Sequence, residues 1–164
     1  MNEQPPAFLC DEMLGRLARW LRAAGYDTAL VEPGHTDRQL LQRARRENRI
    51  VLTCDRKILE HRAAVGNAVL LESGRVEGQI HALSDSVKID WMLAPFSRCL
   101  VDNMPVRPAT DDEIAAISEG GPGVGGPYTT CPECERSYWW GGHTRRMIEK
   151  LEAWADQTGT PFAQ

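Results

Sequence analysis

Short apolar runs alternate with amphipathic segments along the first 94 residues of the chain. The runs are about four residues long, as strands buried on both faces usually are. They span 7–10, 28–31, 50–53 and 68–71. Between them, helical spacing of apolar residues predicts helices over 13–24, 37–47, 56–64 and 76–87. This alternation predicts an α/β fold with a mostly parallel four-stranded sheet and right-handed crossovers.

The composition changes at Pro95, and the change predicts a smaller C-terminal subdomain. Glycines and prolines concentrate over 119–127, in a segment too rich in both to pack. A short helix is predicted before it and a closing helix after it, over 110–117 and 144–155. We therefore place a first domain at 7–93 and a subdomain at 94–156.

Three aspartates lie where one predicted element gives way to the next. Asp11 and Asp55 end apolar runs, and Asp37 begins a helix behind Thr36 and Gln39, which have capping-box spacing. Because the carboxyl ends of parallel strands share one edge, we expect the three acids to converge on a divalent metal. Each aspartate alone can equally be explained as a helix cap. Two other aspartates, at positions 27 and 85, follow no apolar run and are expected on the solvated surface.

Basic residues accompany these acids. Arg16 and Arg19 lie one turn apart on the helix after Asp11, opposite its apolar face and together with Arg22. Arginine forks suit phosphate groups, so the first two are candidate substrate contacts, although solvated basic faces are common. The other candidate contacts flank the third acid, and they are Thr53 and Arg56.

Cysteine spacing indicates a metal site in the C-terminal part. Cys131 and Cys134 have zinc-knuckle spacing, and Cys99 with Asp102 has the same spacing but one carboxylate. His143 is an alternative fourth ligand. A structural zinc is favoured over a metal-free ribbon held by the packing of its aromatic residues. Those aromatics could instead stack on nucleic-acid bases, although packing is favoured; they are Tyr138, Trp139 and Trp140. Two further cysteines, Cys10 and Cys54, lie at strands and are expected to be small core residues.

The formal charge of −4 is unevenly distributed. Residues 1–94 carry net 0 and residues 95–164 carry −4, so a local basic face remains compatible with the acidic total. No apolar stretch approaches the ~20 residues of a membrane span, and the N-terminus lacks signal-peptide features. We therefore expect a cytoplasmic protein whose cysteines stay reduced.

Four motifs of the chain occur together in one protein family. They are FLCDEMLGRLARWLRAAGYD at 8–27, TCDR at 53–56, FSRC at 96–99, and CPEC at 131–134 with Tyr138 and Trp139. Over 7–150 the chain resembles the Mut-seven C-terminal ribonuclease domain family, a PIN-like nuclease domain fused to a zinc ribbon. The chain departs from the family pattern at Asp102, where cysteine is usual, and in the long Gly-Pro loop.

The resemblance implies a PIN-like three-layer domain, a small zinc-ribbon-like subdomain and cleavage of RNA that depends on Mg²⁺ or Mn²⁺. In that case Asp11, Asp37 and Asp55 are the catalytic metal ligands. The fourth acid usual at such sites is Glu12 or Asp85.

Two other functions compete with the nuclease. A phospho-receiver domain also has acids after its first and third strands, but it needs a fifth strand, and none is predicted after 71. A non-catalytic RNA- or protein-binding module would use the acids only as caps. The oligomeric state stays open.

Overall fold

The computed structural model describes residues 4–119 and 126–159, and its main feature is a four-stranded parallel sheet. The sheet has the order β2-β1-β3-β4, and β1 pairs with both β2 and β3. Each strand lies within about one residue of its predicted position, so the α/β fold with a parallel sheet is confirmed. The strands are β1 (Ala7–Cys10), β2 (Thr28–Leu30), β3 (Arg49–Thr53) and β4 (Ala68–Leu70).

Helices connect the strands and extend into the C-terminal part. The α-helices are α1 (Gly15–Ala24), α2 (Asp37–Glu47), α3 (Val76–Ser86), α4 (Asp111–Glu119) and α5 (Gly142–Thr158). Three 3₁₀ helices span Glu12–Leu14, Arg56–Glu60 and Arg62–Ala64. The single helix predicted over 56–64 is therefore wrong, because His61 has extended backbone angles and separates two 3₁₀ helices.

Side chains of β1 and β3 alternate between two buried faces of the sheet. Phe8, Cys10 and Leu52 pack with α1, α3 and α5 on one face. Leu9 and Val51 pack with α2 and the two 3₁₀ helices after β3 on the other. The sheet is thus the middle of three layers, which explains why its strands are continuous apolar runs.

The closing helix α5 packs on the N-terminal half of the chain. Its Trp154 stands edge-on to Trp20 of α1 at 4.7 Å and to Trp91 at 5.5 Å between ring centroids. The Lys150 ammonium lies 5.7 Å from the Trp154 ring centroid. Helix α5 therefore completes the core that α1 and α3 begin.

Gly25 ends α1 and joins it to the chain that leaves the first domain. Its φ is +104°, and a Cβ there would lie 2.6 Å from the Ala94 carbonyl oxygen. Backbone N–H groups of Ala94 and Phe96 donate to the last α1 carbonyls at 3.0 and 2.9 Å. A glycine is required here by both the backbone angle and the close approach.

A second, antiparallel sheet of three two-residue strands forms the C-terminal part. It contains β5 (Arg107–Pro108), β6 (Thr129–Thr130) and β7 (Ser137–Tyr138) in that order. Most of the predicted Gly-Pro loop, residues 120–125, lies outside the described residues. Among the helices of the described chain, none combines the length and apolar character needed to cross a bilayer.

Candidate active site and metal centre

The three aspartates that the sequence singled out line one cleft of about 530 Å³. Asp11 follows β1, Asp55 lies just after β3, and Asp37 opens α2 after β2. The chain leaves β1 for β2 on one side and returns to β3 on the other. The cleft therefore occupies the point where strand order reverses at the carboxyl edge, the usual ligand position in open parallel sheets.

Buried Thr53 joins two of these acids. Its hydroxyl donates to Asp11 Oδ2 at 3.1 Å and accepts the Asp55 N–H at 3.0 Å. Asp11 Oδ1 also accepts the N–H of Glu12 at 2.7 Å, and Asp55 Oδ1 accepts the N–H of Lys57 at 2.9 Å. Both aspartates thus cap 3₁₀ helices, as the alternative interpretation predicted, while they also face the cleft.

Asp37 is not needed as a cap. Thr36 caps α2 by accepting the Gln39 N–H at 3.3 Å, and Gln39 Oε1 accepts the Thr36 N–H at 2.9 Å. The Asp37 carboxylate instead lies in the cleft with Oδ2 at 3.6 Å from His61 Nε2. Side-chain capping therefore does not account for this carboxylate, whose structural role is limited to complementing the dipole in the first turn of α2.

The carboxylates share the cleft without forming a closed ligand set. In the described part of the chain, a single group of three or more His, Cys, Asp or Glu side chains has all its ligand atoms within 4.8 Å of one another, and it excludes these aspartates. An ion in the cleft would require side-chain rotation to gather them.

Other polar residues of the cleft were only partly foreseen. Glu12 lines it, whereas Asp85 is exposed on α3 and is not among its lining residues. Glu32 and His35 also line it, and His35 Nδ1 lies 2.9 Å from the Glu32 carbonyl oxygen. Since that oxygen only accepts, Nδ1 carries the proton and Nε2 is left for other partners. Glu32 directly follows the second apolar run, a signal that could have identified it.

Cys54 borders the same cleft but stays a thiol. Burial, and then the Asp11 carboxylate, raise its pKa above the ordinary value of 9.0. Burial likewise raises the pKa of Cys10 to about 12. Both are therefore poor nucleophiles near neutral pH.

The closed ligand set lies in the C-terminal part and consists of Cys99, Asp102, Cys131 and Cys134. The Sγ atoms of Cys99 and Cys134 are 3.6 Å apart, and Cys131 Sγ lies 3.2 Å from Asp102 Oδ2. Ligands about 2.3 Å from one tetrahedral ion lie about 3.8 Å from each other. These four side chains could thus hold a metal ion such as zinc, and we call them the cysteine cluster.

Two similar turns supply the cluster. The Cys99 N–H donates to Met104 O and the Cys131 N–H donates to Arg136 O, both at 2.8 Å. The residue after the second ligand of each turn has a left-handed φ, 72° at Asn103 and 60° at Glu135. The Asp102 turn therefore has the shape of a knuckle despite its carboxylate.

Hydrogen bonds favour the ligand forms of two cluster residues. Partial burial opposes ionisation of Asp102, but the Met104 N–H and the cluster thiols lower its pKa to about 2. Burial also opposes ionisation of Cys99, but the Tyr138 hydroxyl, 3.1 Å away, and backbone N–H groups lower its pKa. A carboxylate and a thiolate are the forms that bind metal. The other two ligands are held as thiols. Burial raises the pKa of Cys131, and the Arg136 N–H favours ionisation of Cys134, but hydrogen bonding to Asp102 outweighs it and raises the pKa of Cys134 to about 12.

Arg22 connects the cluster turn to α1 and to the start of β2. The sequence pattern placed it opposite the apolar face of its helix, but it is buried. Its guanidinium donates to Thr28 O at 2.9 Å, Val101 O at 2.7 Å and Leu100 O at 3.2 Å. The expectation was wrong because carbonyls distant in sequence satisfy this arginine.

Asp27 was likewise expected to be solvated, but it also takes part in the contact between the cluster turn and the sheet, which we call the junction. Its carboxylate pairs with Arg49 at 2.7 Å and accepts the side-chain amide N–H of Asn103 at 2.7 Å. The Asn103 amide oxygen accepts the N–H of Thr28, where β2 begins. The cysteine cluster therefore adjoins the amino edge of the sheet, opposite the acidic cleft.

One family model covers both the acidic cleft and the cysteine cluster. A family model described as the Mut7-C RNAse domain matches residues 6–151, which span both the cleft and the cluster. The chain belongs to the Mut7-C RNAse domain family. No curated protein and no solved structure matches it.

The remaining predicted contacts of this Mut7-C chain lie outside the cleft lining. Arg16 and Arg19 are exposed on α1, and Arg56 is exposed and paired with Glu72. His143 is exposed at the start of α5 and is not in the cysteine cluster, so Asp102 is the fourth member.

The three aromatics of the C-terminal part line one cavity of about 290 Å³ beside Phe96; they are Tyr138, Trp139 and Trp140. Tyr138 also packs against the main core, and its hydroxyl accepts the Leu100 N–H at 3.0 Å. Aromatic packing and a closed ligand set thus coexist here.

Proposed function

We propose that this chain is a metal-dependent ribonuclease that hydrolyses RNA phosphodiester bonds in the acidic cleft. The observation that carries the proposal is the meeting of Asp11, Asp37 and Asp55 in one cleft of a chain from an RNAse domain family. The position of Asp37 supports it most, because Thr36 already caps that helix. RNA as the substrate follows from the description of the family.

The donor chemistry of the cleft fits Mg²⁺ or Mn²⁺. Its carboxylates are hard oxygen ligands, and such ions prefer them. A bound ion of this kind supplies Lewis-acid stabilisation of charge on the scissile phosphate and a water of lowered pKa as nucleophile. Asp11, Asp37 and Asp55 would hold it, with Glu12 or Glu32, which also line the cleft, as a further acid.

Other residues position these ligands and the RNA. Thr53 is buried, so its role is to fix the Asp11 carboxylate through their 3.1 Å hydrogen bond. Arg16 and Arg19 project from α1, which starts beside the cleft, and are suited to bind RNA phosphates. Arg56 can join them by leaving its exposed pair with Glu72, since such pairs are weak.

We assign the cysteine cluster a structural Zn²⁺ within a zinc-ribbon subdomain, and the three-layer part a PIN-like fold. Three sulfur donors suit zinc, and a filled set of four ligands is typical of structural rather than catalytic zinc. Arg22 and Asn103 tie the cluster turn to the sheet. The zinc would therefore stabilise the first domain as well as the ribbon.

A non-catalytic RNA-binding module is the second candidate. The capping hydrogen bonds of Asp11 and Asp55 favour it, because they give two of the three acids a structural role. The receiver alternative loses support, since the described chain continues from β4 into α3 and its parallel sheet has four strands.

Two conservative substitutions separate nuclease from binding module. Asp37→Asn and Asp55→Asn each remove a ligand charge at nearly constant size, and we expect single-stranded RNA cleavage to fall at least about 100-fold. Asparagine caps helices as well as aspartate, so stability should hardly change. The assay uses protein exchanged into metal-free buffer and then supplied with Mg²⁺ or Mn²⁺, because a chelator would also strip the cysteine cluster.

The matched control is Asp85→Asn, which makes the same change on exposed α3 outside the cleft. It should cleave like the wild type. Undiminished cleavage by both cleft variants would contradict the role of the cleft. If the wild-type protein cleaves no RNA with either Mg²⁺ or Mn²⁺, that result would favour the binding module.

A further inference from the structure

The layer formed by α2 and the 3₁₀ helices after β3 is the most basic part of the molecule. Residues 37–62, which include β3, carry eight Lys or Arg and four Asp or Glu, a net charge of +4. The whole chain carries −4, so the remainder carries −8. A polyanion such as RNA is therefore attracted to this layer and repelled from most of the rest.

A cavity of about 620 Å³ opens in this basic layer. Arg45 at the end of α2 and Arg62 in the last 3₁₀ helix both line it, with Asn48, Asn67 and Val65. Of the described residues that line it, none is acidic. We call this cavity the basic groove.

Among the described residues, the two arginines of the basic groove have no carboxylate partner, unlike Arg43 and Arg49. Arg43 pairs with Glu47 at 2.9 Å and Arg49 with Asp27 at 2.7 Å. Within residues 4–119 and 126–159, neither Arg45 nor Arg62 is within ion-pair distance of an acid. Both guanidinium groups therefore keep their donors for an external anion.

A structural role explains one of the two arginines only. Arg45 lies in the last turn of α2, where a cation complements the helix dipole. Arg62 belongs to another element, and dipole stabilisation of α2 does not account for its position on the same cavity. The asparagines add neutral donors, and the 80 % exposed Val65 offers apolar surface to a nucleobase.

The basic groove and the acidic cleft share no lining residue and lie at opposite ends of α2. His61, the residue before Arg62, lies 3.6 Å from Asp37 at the cleft end of α2. Arg45 is eight residues farther along the helix, a rise of about 12 Å. A single strand of a few nucleotides is long enough to span this distance along α2.

We infer that the basic groove binds the backbone phosphates of single-stranded RNA that extends from the cleft, with Arg45 and Arg62 as the phosphate contacts. This inference rests on the proposed function for the identity of the polymer. It adds a binding site on the α2 face, opposite the α1 face of Arg16 and Arg19. Phosphate contacts of this kind position RNA without reading its sequence.

The test measures binding separately from cleavage. A fluorescein-labelled single-stranded RNA of about 12 nucleotides, within the usual reach of such grooves, is titrated with protein in Ca²⁺ buffer, and anisotropy gives the affinity. Arg45→Glu/Arg62→Glu should weaken binding at least about tenfold and reduce the slope of log affinity against log salt by about 1.4, for two lost contacts. The milder Arg45→Gln/Arg62→Gln pair should give the same direction with less disturbance of α2.

The matched control is Arg145→Glu/Arg146→Glu, the same charge change on exposed α5 residues. It should bind within about twofold of wild type, apart from the general effect of net charge. Equal losses in the control, unchanged binding in the groove variants, or no RNA binding by the wild type would overturn the inference.

Cleavage of a dinucleotide, which cannot reach the groove, separates this inference from the proposed function. Groove variants should cleave it like the wild type, whereas loss of dinucleotide cleavage would mean that the arginines act at the cleft. Binding that depends on the groove in a protein that cleaves nothing would contradict the nuclease and leave the groove intact.

Discussion

The acidic cleft and the cysteine cluster lie at opposite edges of one sheet and differ in how completely they are assembled. The cluster ligands lie within 4.8 Å of one another, held by two hydrogen-bonded turns. The cleft acids share a space of about 530 Å³ but remain spread around it. A structural metal needs a filled set of ligands, whereas a site that exchanges substrate keeps open positions. The difference between the two regions is the one expected if the first holds the fold and the second performs chemistry.

Helix α1 places these two regions relative to each other. It begins beside Asp11 and ends at Gly25, where the chain toward the cluster attaches. Ten residues give it a length of about 15 Å. Substitutions in the cysteine cluster should therefore lower the stability of the fold, and should affect the geometry of the cleft indirectly, through α1.

The largest expected effect comes from removing a cluster thiolate. Cys131→Ser should abolish stoichiometric metal and destabilise the protein by about 3 kcal/mol or more, because structural metal binding contributes folding energy. For a domain of this size that lowers Tm by roughly 6–12 °C. Elemental analysis and calorimetry measure the two effects.

The corresponding control is Cys54→Ser, which exchanges a cysteine at the cleft and should keep the metal. Metal-free wild-type protein with an unchanged Tm in the Cys131 variant would mean that aromatic packing alone holds the ribbon.

A smaller effect is expected at the junction. Arg22→Met keeps much of the buried side chain but leaves three carbonyl groups without their donor, and we expect a loss of about 2 kcal/mol. Denaturant unfolding measures it, with exposed Arg19→Met on the same helix as the control. A loss no larger than that of the control would show that the cluster turn is held by Asn103 and packing alone.

The smallest effect concerns pH. Burial opposes ionisation of Asp27, but hydrogen bonds from Arg49 and Asn103 outweigh it and lower its pKa in the folded protein. Its contribution is therefore complete above the unfolded-state value of about 3.9 and is lost as pH falls through the lower folded value. Because the carboxylate is about one third exposed, solvent screening limits it to below about 1 kcal/mol.

This pH dependence is tested with Asp27→Asn. The variant should be slightly less stable at neutral pH, and its stability should fall less steeply than that of the wild type below about pH 4. Parallel acid limbs for both proteins would assign the acid sensitivity to other carboxylates.

The sequence was most informative where burial repeats with a simple period. The strands at Phe8 and Val51 were predictable because both of their faces are covered, so their central residues are all apolar. The positions of Asp11 and Asp55 followed from strand ends. The cysteine spacing at Cys131 was recognisable because a knuckle is a local turn, so its two ligands lie close together in sequence.

Contacts between distant segments were not predictable. Arg22 occupied a polar position of an amphipathic pattern, and its acceptors lie up to 79 residues away. Asp27 was misjudged because Arg49 and Asn103 meet it only after the sheet has formed. The distances between the cleft carboxylates also depend on the paths of three loops, which periodicity does not describe.

The packing of α5 has a consequence for how the chain is made. Trp20 and Trp91 precede α5 in the chain, so they leave the ribosome before Trp154, the tryptophan that packs against them. Until α5 emerges, the growing chain exposes two large aromatic surfaces on an otherwise finished sheet. Exposed apolar surface of this kind makes a nascent chain prone to aggregation and is the surface that chaperones bind. A stop codon before α5 would therefore release an aggregation-prone fragment instead of a smaller folded domain.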